Sequence, residues 1–245
     1  QSTPEDESVG LLNSAKDALA YWNTTVDEEF PKLLAGVYSG TAMLNRLVSR
    51  KGRKVGLIVN KGMEDFHRMG RAIQAYLGYS YSDRLHLNTH RYDPPLVPRE
   101  LTRGVTERVD LFGNVVIPLY EHEVAPAVEE LLERDVEAIV ISLLHSYKYP
   151  AHERKVRDIA KETMKKLGKE VPVFASVDYY PVRKESHRTN TTIIEAYAAD
   201  PSRETLEKID TRLKEHGANF DLRVMASHGG TISTRANELA RTLVS

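Results

Sequence analysis

The sequence has no cysteine among its 245 residues, which removes disulfides, zinc–thiolate centres and iron–sulfur clusters and fits a reducing compartment. No apolar run approaches the roughly 18 residues that a membrane span needs. The N-terminal QSTPEDESVG also lacks the basic and apolar regions of a secretory signal. Charge of one sign is missing too: 34 Lys and Arg stand against 35 Asp and Glu, with no like-signed block beyond a few residues. That balance argues against nucleic acid and against an acidic membrane as partners. Internal repeats, low-complexity tracts and the Walker A, GxSxG, HExxH and GxGxxG motifs are absent. What is left is a cytoplasmic globular protein, with 41% hydrophobic residues and a mean hydropathy of −0.43, large enough for one large or two small domains. It starts at Gln1 rather than Met and stops at an apolar Leu243-Val244-Ser245, so the chain is expected to be a fragment of a longer polypeptide.

What is present centres on Val136 to Leu167. Val136 to Leu144 is nearly all apolar and mostly β-branched, the pattern of a strand buried on both faces of a parallel sheet. Pro150 can open a helix after it, because its missing N–H would have had no intrahelical partner. Val156, Ile159, Ala160, Met164 and Leu167 then recur at helical spacing, and Gly168 ends the run. Ligands of open α/β sheets gather at the carboxyl ends of such strands, which puts His145, Ser146 and Tyr147 where chemistry is expected.

The remaining chain fits the same architecture. Leu11, Leu12, Ala15, Leu19 and Trp22 predict a first helix, followed by a short one around Glu28 to Leu34. Lys54 to Asn60 and Val171 to Val177 predict buried strands, with a short helix through Phe66 and Met69 after the first. Thr102 to Val109 and Val115 to Leu119 flank a Gly-Asn turn as a hairpin, and Glu121 to Arg134 forms a helix with an acidic first turn. Thr189 is placed to cap a buried helix over Thr191 to Ala199, and Asp200-Pro201 to start another that ends at Gly217. Val171 to Val177, following the organising helix, gives a β-α-β-α-β order from Val136 onward, and Leu222 to Met225 is a further short strand. The expectation is a layered parallel or mixed α/β sheet with flanking helices.

Three local features carry chemistry. Ser39-Gly40-Thr41 precedes a helix over Ala42 to Lys51, so free N–H groups and the helix dipole suit an anion; the same residues also serve as a plain N-cap. Ser227-His228-Gly229-Gly230-Thr231 follows a strand, and its paired glycines let the backbone approach a phosphate or oxyanion, or form a tight turn. The Tyr- and His-rich stretch from Tyr76 to Pro98 shows little periodicity, as functional loops do. His86 and His90 within it are four apart, a spacing that needs a helix to join them on a metal, and Asn88, Thr89 and the following prolines oppose one; no metal site is assigned in this chain.

Several stretches together resemble the hydantoinase A and oxoprolinase family: YSGTAMLNRLVSRKG from Tyr38, LIVNKGMEDFHRMGR from Leu57, HLNTHRYDPPLVPR from His86, ISLLHSYKYPAHERKV from Ile141, HRTNTTIIEAYAADP from His187 and VMASHGG from Val224. They cover nearly the whole chain in order. The resemblance implies part of an actin-like ATPase fold, the ribonuclease H-like architecture, with residues 1–185 as an N-terminal α/β region and 186–245 as a helical connector and the start of a second lobe. The family's two glycine-rich phosphate hairpins are not in this sequence, and the fragment is expected to lie between them. The His-rich variants of these segments imply the ATP-dependent subunit of a ketone carboxylase, which joins acetone and bicarbonate to acetoacetate while ATP becomes AMP and phosphate. An enol phosphate and carboxyphosphate are the implied activated species. ATP with Mg2+ is the implied ligand of the intact subunit, Mn2+ belongs to a partner subunit, and the partners are the other carboxylase subunits in a hetero-oligomer together with the small ketone and bicarbonate. On this reading Ser39, Gly40, Thr41, Arg188, Thr189, Asn190, Ser227, Gly229 and Gly230 are nucleotide or phosphate contacts. His145 and His228 are the catalytic candidates, as proton carriers that titrate near neutrality, and His145 is equally suited to a buried structural role. Two alternatives remain: a subunit of an ATP-dependent hydantoinase or 5-oxoprolinase type of amidohydrolase, and a segment that serves mainly as subunit-interface scaffold.

Overall fold

The computed structural model describes residues 6–69, 79–90, 94–226, 229–236 and 239–242. Its packing divides the chain into two compact units, residues 1–52 with 198–245, and residues 53–197. This partition cuts the chain differently from the sequence-based boundary at 185, because the C-terminal segment returns to pack with the N-terminal helices.

The first unit opens with helix α1 (Glu7–Ala20), capped by the Asp6 carboxylate on the Ser8 N–H. Helix α2 (Val26–Glu29) runs into a 3-10 turn over Phe30–Lys32. Strand β1 (Val37–Tyr38) leads to helix α3 (Ala42–Val48), which stops before Lys51 because Arg50 takes a left-handed φ of 56°.

The second unit begins with strand β2 (Val55–Asn60), all six residues buried as its apolar run requires. Lys61 to Met69 then forms successive turns in place of the expected short helix. Helix α4 (Tyr81–Leu85) and a 3-10 turn over Leu87–Thr89 lie in the Tyr- and His-rich stretch, whose Tyr76 and Tyr92 fall outside the described residues. Strand β3 (Thr102–Val105) pairs in parallel with β2, so only β4 (Arg108–Val109) and β5 (Val115–Ile117) make the hairpin. The sequence suggested one long hairpin arm; the chain instead gives its first half to the sheet edge.

Helix α5 (Val124–Glu133) buries Val124, Ala127, Val128, Leu131 and Leu132 and leads to strand β6 (Ala138–Ile141), buried throughout. Helix α6 (Ala151–Lys166), opened by Pro150 and followed by Gly168 at φ 64°, crosses over to strand β7 (Val173–Ala175). The four parallel strands stand in the order β3-β2-β6-β7. Helix α7 (Ser176–Tyr179) follows, then helix α8 (Glu185–Ile194) with a π-helical end over Glu195–Ala199. The polar Arg183 to Asn190 segment is thus itself helical from Glu185, and Thr189 lies inside the helix rather than capping it.

Helix α9 (Arg203–Glu215), preceded by the Asp200–Ser202 turn and ended by Gly217, returns to the first unit. Leu206, Ile209 and Leu213 are buried as their spacing predicts. Ile209, Leu213 and Leu222 close a core with Leu12, Val26 and Phe30. Strand β8 (Arg223–Met225) pairs in parallel with β1 and antiparallel with β9 (Thr231–Ser233). Since β8 belongs to this three-stranded sheet, the β-α-β series expected from Val136 ends at β7 within its own sheet. No described helix is long and apolar enough to cross a membrane.

Candidate functional site

In the first unit the register Val37↔Arg223 and Tyr38↔Val224 places β1 and β8 side by side and parallel, so the loops after both leave from the same edge. The structure therefore brings together two features that were separate in sequence, Ser39-Gly40-Thr41 and the glycine pair near residue 230. Gly229 and Gly230 take φ of 87° and 82°, open to glycine at no steric cost, and close the turn between β8 and β9. A Cβ at either would meet nothing within 4 Å, so the backbone is bare on that side and a phosphate has room to approach. The Gly229 N–H donates to the Ala226 carbonyl, which leaves Gly230 as the glycine with an uncommitted N–H among the described residues. At the facing loop Gly40 is required for a different reason: a Cβ would lie 2.4 Å from the Tyr38 hydroxyl. That hydroxyl donates to Glu7 Oε2 at 2.7 Å, and burial together with the Glu7 charge pushes the Tyr38 phenol well above its usual range. Thr41 does not cap α3 with its side chain; its hydroxyl accepts from Asn45 Nδ2. Ser227 and His228 lie outside the described residues.

The second unit has its own edge of interest. From β2 the chain leaves toward β3, and from β6 it leaves toward β7, so the strand order reverses between β2 and β6. Crevices at the carboxyl ends of such a reversal hold the ligands of open α/β sheets. Asn60, the last residue of β2, spans this point: its Oδ1 accepts from the Leu144 N–H at 2.7 Å, and its Nδ2 donates to the Glu107 carbonyl at 3.1 Å and to the Glu107 carboxylate. Glu107 Oε2 in turn lies 2.6 Å from His152 Nδ1 in the first turn of α6. His145 sits in the loop between β6 and α6 at a left-handed φ of 57°, a strained conformation for a side-chain-bearing residue. Its Nδ1 is 3.5 Å from Glu185 Oε1 without forming a hydrogen bond.

Behind this edge lies a buried ionic knot. The Glu153 carboxylate accepts from the Leu143 N–H (2.7 Å), the Ser176 hydroxyl (2.7 Å) and the Val177 N–H (3.0 Å). Arg188 donates to Ser176 Oγ (2.9 Å), the Val182 carbonyl (2.8 Å) and the Leu143 carbonyl (2.7 Å). Burial raises the Glu153 pKa in spite of the Leu143 N–H and the nearby Arg188 charge, and it also lowers the Arg188 pKa. Thr189, equally buried, shares a 2.6 Å hydrogen bond with Ser142. Arg188 and Thr189, expected as phosphate contacts, are both fully buried, and three of the guanidinium's five N–H groups donate within the protein. Asn190 on the same helix is exposed.

His86 and His90 are separated by the break between α4 and the 3-10 turn, and His90 Nε2 is within 3.1 Å of the Arg84 carbonyl. Among the described residues no three His, Asp or Glu side chains group as a metal site. Asn60, Glu107, His152, Glu153 and Ser176 escaped the sequence reading, since no motif joins residues so far apart. The one available signal was that His152 and Glu153 follow Pro150 directly after the central strand.

A family model described as hydantoinase/oxoprolinase N-terminal region matches residues 1–164, and one described as hydantoinase/oxoprolinase matches residues 188–245. The acetone carboxylase beta subunit of Xanthobacter autotrophicus is 65% identical over all of this chain and 34% of its own length. The acetophenone carboxylase gamma subunit of Aromatoleum aromaticum is 33% identical over 98% of this chain and 33% of its own. Among solved structures, nucleotide-free acetone carboxylase superposes with a TM-score of 0.91 at 65% identity, covering 100% of this chain and 34% of that one. The ATP-dependent caprolactamase of Pseudomonas jessenii superposes at 0.75 and 29% identity, covering 95% and 32%. The chain spans about a third of the length of these relatives. The expected α/β architecture, part of an actin-like ATPase fold, stands with these neighbours.

Proposed function

Because the chain belongs to the hydantoinase/oxoprolinase family, we propose that it is part of the ATP-dependent subunit of a ketone carboxylase acting on acetone or a similar small ketone with bicarbonate. The observation that carries this is the 65% identity, over all 245 residues of this chain, to an acetone carboxylase beta subunit, against 29% to a caprolactamase subunit. The paired loops at the carboxyl ends of β1 and β8 support it. Gly229 and Gly230 fit a nucleotide phosphate, because their backbone is exposed and free of side-chain obstruction, and Ser39 to Thr41 leave the same sheet edge at the start of a helix.

ATP bound there supplies phosphoryl groups that turn two unreactive partners, a ketone oxygen and bicarbonate, into competent reactants. The chain's contribution is to position the phosphates and to offer N–H groups to developing negative charge. Magnesium accompanies the nucleotide, and manganese lies in a partner subunit of the hetero-oligomer. The knot of Glu153, Ser176 and Arg188 holds the β6 and β7 ends rigid beneath the second edge.

The test is product analysis on the complete, assembled complex. Acetoacetate formed from acetone and labelled bicarbonate in step with AMP release supports the proposal. Ring-opened acid from a lactam or hydantoin, with no labelled acetoacetate, would replace it with the amidohydrolase reading.

A further inference from the structure

We propose that Glu107 and His152 form a proton-transfer pair at the strand reversal between β2 and β6, with His152 Nε2 as the base that takes a proton from the carbon beside the carbonyl of a small ketone. The proposal rests on the ketone-carboxylase reading above and names the group that makes the ketone nucleophilic.

The geometry has the parts such a base needs. The Glu107 side chain is fully buried and lies two residues beyond the end of β3. Asn60 fixes it through both its backbone carbonyl and its carboxylate, and Asn60 is itself held by the Leu144 N–H, so the carboxylate has one place to be. Its second oxygen lies 2.6 Å from His152 Nδ1. A carboxylate can only accept, so Nδ1 carries a proton and, in the neutral imidazole, the lone pair is on Nε2. That nitrogen has no hydrogen-bond partner among the described residues, and the side chain keeps 13% of its surface exposed. The Tyr149 ring stands edge-on at 5.1 Å and fixes the ring plane. A buried carboxylate that orients a histidine whose outer nitrogen is free is the arrangement of general-base pairs. Its place, at the carboxyl end of parallel strands beside a strained loop, is where α/β folds put chemistry.

The step balances simply. The Cα–H bond of the ketone breaks and an N–H bond forms at His152 Nε2. The bonding pair becomes the C=C bond, and the carbonyl π pair moves to oxygen. The product is an enolate, whose oxygen is the nucleophile that ATP phosphorylates in the proposed reaction.

The experiment uses the complete subunit in its assembled complex, with acetone in D2O followed by NMR and acetoacetate measured in parallel. His152→Gln should cut both deuterium incorporation and turnover at least 100-fold, the lower end of general-base contributions. His152→Ala should regain part of each with added imidazole, which a structural role would not allow. Glu107→Gln should slow both while the complex still assembles, marking it as a positioning residue. Exchange and turnover within threefold of wild type in His152→Gln would overturn the proposal while leaving the carboxylase reading intact. Wild type that neither exchanges nor carboxylates a ketone would instead refute that reading. The pair is then judged by diethylpyrocarbonate: modification of His152 alongside the exposed His122 supports a presented Nε2, and an unmodified His152 overturns it.

Discussion

Replacing Arg188 with Met tests whether the knot beneath β6 and β7 is what fixes that sheet edge. Arg188 is fully buried and donates three hydrogen bonds, to Ser176 Oγ, the Val182 carbonyl and the Leu143 carbonyl. Hydrogen bonds from a charged donor contribute about 1.5–3 kcal/mol each, but they are not additive, and Met restores apolar contact over much of the same volume. The larger effect is on Glu153, which keeps its N–H and hydroxyl donors but loses the only nearby positive charge among the causes that lower its pKa. Breaking one side of a buried pair typically costs about 3–5 kcal/mol, and the upper part of that range is trimmed here because Glu153 can take up a proton. The assay is amide hydrogen exchange, since a chain of two units need not unfold in one step. Exchange of the β2 and β6 amides should accelerate by about two to three decades, with each decade worth about 1.4 kcal/mol. Lys166→Met, which breaks an exposed pair with Glu162, should change nothing measurable. Acceleration of less than tenfold in Arg188→Met would mean that the knot is incidental to that edge.

The pH response of the same knot is a second prediction. Burial raises the Glu153 pKa above its unfolded value, so its contribution is fully present below about pH 4.5 and is lost as pH rises through the folded value. Glu153→Gln should therefore flatten the decline in stability above pH 4.5 in denaturant titrations, whatever its absolute cost; an unchanged slope contradicts this. His67 has the opposite sign: burial lowers its pKa, so its contribution is present above about pH 6.5 and lost as pH falls. Exchange at Val97, whose carbonyl is 3.1 Å from His67 Nε2, should quicken at pH 5 in wild type but not in His67→Gln. Gly104→Ala should destabilise by about 1–3 kcal/mol, because its Cβ would come within 2.7 Å of the Lys61 Cα, a backbone atom that cannot swing away. A thermal midpoint equal to wild type would show that β3 shifts freely at the sheet edge.

The parts of the fold legible in the sequence were those written in apolar periodicity. Lys54 to Asn60 and Val136 to Leu144 read as buried strands, and the fully buried β2 (Val55–Asn60) and β6 (Ala138–Ile141) lie within them, while Pro150 and Gly168 bracket α6 as their backbone chemistry dictates. What misled was polarity turned inward. Thr189 read as a helix cap and Arg188 as an outward-facing contact because hydrophobicity cannot show that both point into the protein, where bonds to Ser176, Leu143 and Ser142 replace water. Thr102 to Val105 hid for a related reason: an edge strand of four residues, two of them only half-buried, carries too little alternation to separate from the hairpin that follows it. The proposed phosphate loops were visible one at a time through Ser, Thr and Gly chemistry, but their meeting at one edge depends on a parallel pairing across almost 190 residues. Glu107 left no trace and His152 only its place just after Pro150, since each is an ordinary surface-type residue until the fold brings them together beside Asn60.

The central claim is that the loops after β1 and β8 receive the phosphates of ATP. Hydrogen exchange of the complete subunit with and without ATP and magnesium, read by mass spectrometry, tests it without altering a residue. The account predicts slowed exchange at Ser39 to Thr41 and at Gly229 and Gly230 when nucleotide binds. Nucleotide binding that protects other segments while leaving both of these unchanged would contradict it.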